Sequence, residues 1–228
     1  MTIALETAHD RMFEDLTRFV RGELSFRSNE MERRFLRELA WVWTEFRDTE
    51  DGKSMRAKFA TEYWSEKALK KIYKISSGCE GDIDLNSSAV KGSLSDGILS
   101  ASSLVENEFR HEHVVPKKMF IDTVLKLREQ GSVDESFKYK LLQNFVGCII
   151  TKEESGELDK QHRNYPDKGK LLDDEDFDCW IRYREYNREN PDKQIVVYKC
   201  RVKKGMKAGR RWGLEVLGRQ SLGGLLSE

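Results

Sequence analysis

Arg110-His111-Glu112-His113-Val114-Val115-Pro116 is the stretch on which the fold and chemistry of this 228-residue chain turn. The chain has four histidines, at positions 9, 111, 113 and 162, and two of them fall here. Adjacent β-branched valines stiffen an extended backbone, and a proline, lacking an N–H, ends a strand ladder. A strand carrying Val114 and Val115 and stopping at Pro116 therefore presents Glu112 and His113 from a rigid end. A carboxylate suits a hard cation, and an imidazole takes up a proton near neutral pH. His111, two residues before His113, shares its face of the strand and is placed to bind phosphate. Taken alone, the string also fits the solvated end of an ordinary strand, so the surrounding chain decides its meaning.

Downstream lies Gln143-Asn144-Phe145-Val146-Gly147-Cys148-Ile149-Ile150-Thr151-Lys152-Glu153-Glu154. Residues 145–150 are apolar, β-branched toward the end and interrupted by one glycine, which reads as a buried strand. Thr151 followed three residues later by Glu154 matches a capping box, so a helix over about 152–163 follows directly. Between the two strands, residues 117–128 read as an inserted helix, and a second begins near Asp134. The order is a histidine-bearing strand, a helical connection, Asn144, a strand and a capped helix with an acidic first turn.

That order, with Glu-His-Val-Val-Pro opening it and Asn-Phe-Val-Gly-Cys-Ile-Ile-Thr-Lys-Glu-Glu closing it, resembles the HNH, or ββα-metal, nuclease finger over residues 106–165. The resemblance implies a metal-dependent endonuclease in which Glu112 binds a divalent ion, His113 is the general base and Asn144 orients the imidazole. It also implies a last metal ligand on the helix, often His or Asn in the family. Here that stretch offers Glu153, Glu154, Ser155 and Glu157, and if Glu154 serves the cap, Glu153 or Glu157 is left. The same acidic turn also complements the helix dipole, and Asn144 also reads as a turn residue. Mg²⁺ or Mn²⁺ is the implied cofactor. Such an ion, held by one or two carboxylates and water, neutralises a phosphate and templates its hydrolysis, while a neutral imidazole activates the water.

Around this core the fold class reads as α+β: a helical N-terminal region, the ββα-metal finger, and a C-terminal β hairpin. Residues 6–24 and 28–47 carry apolar positions at helical spacing, with Met12, Phe13, Leu16, Phe19 and Val20 on one stripe. Met31, Phe35, Leu36, Leu39 and Trp43 form the other stripe, and a third helix is expected over 65–75. Residues 77–103, rich in Gly, Ser, Asp and Asn, read as a linker. The expected division is thus 1–76 helical, 77–103 linker, 104–190 nuclease core and 191–228 basic hairpin. Trp180-Ile181-Arg182-Tyr183, after an acidic stretch, is expected to pack its aromatic rings back on the finger.

The chain balances 40 Lys and Arg against 40 Asp and Glu, so no global basic footprint announces a nucleic-acid partner. The last segment departs from that balance: residues 191–228 hold nine Lys or Arg and three Asp or Glu. Lys203, Lys204, Lys207, Arg210 and Arg211 cluster about two glycines and a tryptophan, a pattern suited to a phosphate backbone. Together with His111 and Arg163 they form the expected DNA contacts. The four cysteines, at 79, 148, 179 and 200, show no C-x-x-C pair, so neither structural zinc nor a disulfide framework is expected. The absence of a long apolar run excludes a transmembrane helix and points to the cytoplasm. The expected function is an HNH endonuclease hydrolysing DNA in restriction or phage defence, cutting as a monomer or a homodimer. The alternatives are an inactive nucleic-acid-binding protein with an HNH-like finger, and an RNase.

Overall fold

The computed structural model describes residues 7–48, 54–56, 61–77, 81–85, 107–162, 171–204 and 212–222. Helix α1 (Ala8–Val20) starts at Thr7, which forms a capping box with Asp10. Helix α2 (Asn29–Glu45) follows and runs into a small antiparallel pair, β1 (Phe46–Asp48) and β2 (Ser54–Arg56). Next come β3 (Tyr63–Ser65) and α3 (Glu66–Ser77), then β4 (Phe109–His113). Two helices, α4 (Lys117–Gln130) and α5 (Glu135–Asn144), separate β4 from β5 (Gly147–Thr151). Helix α6 (Lys152–His162) leaves β5 without an intervening loop. Helix α7 (Ile181–Glu189) and the strands β6 (Val197–Lys204) and β7 (Trp212–Arg219) complete the α+β fold.

The main sheet has the order β4-β5-β3-β6-β7. β4 pairs antiparallel with β5, β5 parallel with β3, and β3 antiparallel with β6. One sheet therefore joins strands from the N-terminal helical region, the finger and the C-terminal hairpin. β5 is buried along its whole length, and its side chains alternate between two cores. Ile149 packs with Trp64, Leu69, Ile72 and Phe109, largely beneath α3. Cys148 and Ile150 join the larger core with Leu158, Trp180 and Tyr183. That alternation follows from the two-residue period of a strand and explains an apolar run covered on both sides.

The N-terminal stripes close on α4. Leu16, Phe19, Leu36, Ala40 and Trp43 share the larger core with Phe120 and Val124, while Met31 lies outside it, 49% exposed. Arg128 pairs with Glu32 at 2.5 Å, tying α4 to α2, and Lys138 pairs with Asp10 at 2.5 Å, tying α5 to α1. α4 ends at Gly131, whose φ of 72° is the left-handed cap conformation glycine adopts without strain. His9 is structural: its ring meets Trp43 edge-on at 4.7 Å, and Nε2 lies 3.0 Å from the Trp43 carbonyl oxygen. Among the described residues no helix is long and apolar enough to cross a membrane.

The strand at the head of the motif is shorter than its valines suggest. β4 stops at His113, and Val114 and Val115 turn into the core, both fully buried. The Val114 amide still donates to the Val146 carbonyl at 3.1 Å, and Pro116 then caps α4. Apolar burial holds both valines, and one cross-strand hydrogen bond past the end of β4 also holds Val114.

Candidate active site

The β4–β5–α6 unit places the candidate residues. In register, Glu112 lies opposite Cys148 and His113 opposite Gly147. Thr151 and Glu154 lock the step from β5 into α6: the Glu154 amide donates to Thr151 Oγ1 at 3.1 Å, and the Thr151 amide donates to Glu154 Oε2 at 2.9 Å. Strand alternation then sends Glu112 to one side and His111 and His113 to the other.

On the Glu112 side, the decisive neighbour is Arg182 of α7. Its Nη1 lies 2.7 Å from Glu112 Oε1 and its Nη2 lies 2.7 Å from Asp159 Oδ1 of α6. Its Nε donates to the His162 carbonyl. Ser155, one helical turn before Asp159, hydrogen-bonds Glu112 as well. The Arg182 side chain is 2% exposed, so a buried cation is shared between a largely buried strand carboxylate and a half-exposed helix carboxylate. Burial raises the Glu112 carboxyl above its ordinary range, with Arg182 acting in the opposite direction. The Arg182–Glu112 pair is geometrically demanding, because both partners have surrendered most of their water, whereas Asp159 remains half exposed.

On the other side, His113 is covered by α2. Its Nε2 lies 3.2 Å from Thr44 Oγ1, and the ring also hydrogen-bonds the Ala40 backbone. Trp41 lies 5.1 Å away between ring centroids, Phe145 6.0 Å and His111 5.5 Å. Burial, then the neighbouring His111 and Lys117, hold the His113 imidazole well below its ordinary range. It is therefore neutral at neutral pH, the protonation state a general base needs. Lys117 stands at the corner where the two sides meet, within electrostatic reach of both His113 and Glu112. Its ammonium lies 4.3 Å over the Trp41 ring, and burial lowers its pKa. The glycine within the β5 run makes room for the histidine layer, since a Cβ at Gly147 would stand 2.1 Å from His111 Nε2.

The remaining sequence-derived residues lie as follows. Asn144 is the last residue of α5, three before β5, and the hydrogen bonds described for His113 go to Thr44 and Ala40 instead. Glu154 Oε2 accepts from the Thr151 amide and hydroxyl and, at 2.6 Å, from Ser65 Oγ, so this carboxylate is committed to the cap. Glu153 is exposed, and Glu157 pairs with Lys160 at 3.5 Å and Lys193 at 3.9 Å. The helix carboxylate that approaches Glu112 is Asp159. A signal for it exists in the sequence: Ser155 and Asp159 flank Leu158, the apolar residue that anchors α6. Arg182 lies between the aromatic residues Trp180 and Tyr183, and its charge is turned inward together with their rings. Arg163, Lys207, Arg210 and Arg211 lie outside the described residues, and Lys203 and Lys204 are described only as backbone in the β6–β7 ladder.

Mg²⁺ and Mn²⁺ take oxygen donors, and Glu112, Asp159 and Ser155 supply oxygens from facing elements. In donor chemistry the set fits such an ion, although among the described residues no three His, Cys, Asp or Glu side chains converge on one point. An ion held mostly by water needs fewer. No family model, curated protein or solved structure matches this chain.

Proposed function

We propose that this chain is a divalent-metal-dependent HNH-type endonuclease that hydrolyses DNA phosphodiester bonds in the cytoplasm, in restriction or phage defence. The observation that supports the reading is the succession β4–β5–α6, with Glu112-His113 ending the first strand and the Thr151–Glu154 cap opening the helix. Glu112 and Asp159 are the residues that would hold Mg²⁺ or Mn²⁺, which supplies charge neutralisation at phosphate. His113, kept neutral by burial, serves as base, with Thr44 and the Ala40 backbone fixing its ring in the part that the family resemblance gives to Asn144. Lys117 sits at the corner shared by both and is placed to meet the phosphate. The basic segment about residues 203–211 supplies the backbone contacts, as a monomer nicking one strand or a homodimer cutting both.

Incubation of the purified chain with supercoiled plasmid and Mg²⁺ or Mn²⁺, beside His113→Ala, tests this directly. Nicked or linear product from wild type, falling roughly 10²–10⁴-fold in the variant, is the expected result. Equal cleavage by both proteins removes His113 from the mechanism. Running RNA beside DNA separates a ribonuclease from a deoxyribonuclease.

One observation favours a second reading, a nucleic-acid-binding protein with an inactive finger. Glu112 and His113 project to opposite sides of β4, and Glu112 already has a cation in Arg182. That reading expects salt-sensitive binding and intact DNA and RNA under every metal.

A further inference from the structure

We propose that Arg182 is an autoinhibitory plug: its guanidinium occupies the cation position between Glu112 and Asp159 and must leave before a divalent ion can enter. The inference rests on the nuclease reading above and concerns how that site is controlled. Three directions of the guanidinium are spent on this one position: Nη1 on Glu112, Nη2 on Asp159, both at 2.7 Å, and Nε on the His162 carbonyl. With a side chain only 2% exposed, the arginine is not a surface residue that happens to touch two acids. Two carboxylates offer charge for one cation. A second cation at these oxygens would meet like-charge repulsion from the guanidinium, strongest at the largely buried Glu112 and screened by solvent at the half-exposed Asp159.

The arrangement also allows the exchange. Glu112 sits on β4, and Ser155 and Asp159 on α6, elements joined through the β4–β5 ladder and the Thr151–Glu154 cap. Arg182 comes from a third element, α7, held in the core by Trp180, Tyr183 and Tyr186 on its own account. Release of Arg182 alone would thus vacate the position, since neither carboxylate belongs to α7. A phosphodiester arriving with a divalent ion would balance the charge: Glu112 and Asp159 would hold the ion, and the freed guanidinium would meet the phosphate.

The experiment is Mn²⁺ binding to the full chain, followed by electron paramagnetic resonance of the free ion and without nucleic acid. It compares wild type, Arg182→Met and the double variant Arg182→Met with Glu112→Gln. The Met variant is expected to bind Mn²⁺ at least tenfold more tightly than wild type, and the added Glu112→Gln to return the affinity to the wild-type level. A folded Met variant that binds no more tightly than wild type overturns the plug, as does tight binding that survives Glu112→Gln. Should the Met variant fail to fold, Arg182→Gln decides: its neutral amide can hydrogen-bond a carboxylate but brings no positive charge, so tighter Mn²⁺ binding supports the plug and unchanged binding overturns it. The outcomes separate the two readings. A variant that gains the ion but leaves DNA intact keeps the plug and ends the nuclease reading. Cleavage by wild type with no gain of ion in the variant does the reverse.

Discussion

Gly147 and His111 are in contact across the β4–β5 pair so closely that a single methyl group at 147 would stand 2.1 Å from the imidazole Nε2. The ring cannot swing away freely, because it is buried beside Trp41 at 6.1 Å and His113 at 5.5 Å. Gly147→Ala is expected to cost about 1–3 kcal/mol, the usual range for overpacking. Urea unfolding measures it, and adding His111→Ala should restore part of the loss, since the two sites share one space. A Gly147→Ala chain as stable as wild type would show that the histidine layer yields.

The cap between β5 and α6 is a second quantifiable joint. Thr151→Ala removes the side-chain acceptor of the Glu154 amide and is expected to cost about 1 kcal/mol. Glu154→Ala strips partners from the Thr151 amide and the buried Ser65 hydroxyl together and should cost more, roughly 1–3 kcal/mol. The order of the two urea midpoints is the check; a milder effect of Glu154→Ala would mean water replaces the carboxylate there.

Asp10 gives a pH dependence with a defined sign. The hydrogen bond from Lys138, with those from Thr7, holds its carboxyl at about 2 against an ordinary 3.8, burial opposing. The unfolded chain therefore binds this proton first as pH falls. Stability from the group is fully present above about pH 4 and is lost as pH drops through about 2. Asp10→Asn should flatten the acid limb of stability between those values and leave the slope at neutral pH unchanged. An unaltered acid limb in the variant would count against the Asp10–Lys138 contact.

Three thiols should be chemically silent in the folded protein. Cys148, Cys179 and Cys200 are free and buried, and burial raises each thiol, Cys179 to about 12. Since the thiolate is the reactive species, alkylation at pH 8 followed by peptide mass spectrometry should leave all three unmodified until urea is added. Rapid native labelling of any of them would place it nearer solvent than the structure does.

The parts of this fold that are legible in the sequence are those written in local chemistry. The Thr151–Glu154 cap, the inserted helices and the inward aromatic rings of Trp180 and Tyr183 follow from spacing and side-chain type. Long-range pairing is not written that way. β3 is three residues long, too short for a period, and it is a strand because β5 and β6 flank it. Likewise Trp41 lies off the apolar stripe of α2, so nothing local announces that it covers His113. Arg182 and Asp159 meet only because α6 and α7 are brought together, and a charged residue in sequence looks solvated until its partner is known.

The position of β3 bears on how the chain is made. Tyr63, Trp64 and Ser65 leave the ribosome long before either neighbouring strand exists, and wait for Cys148 and Ile149 on one side and for residues 197–199 on the other. Contacts so distant along the chain slow folding and leave strand edges bare in the interval. The same placement governs dissection. A fragment beginning after residue 77 keeps every finger residue yet lacks the strand between β5 and β6, so it bares two strand edges that the intact chain keeps paired.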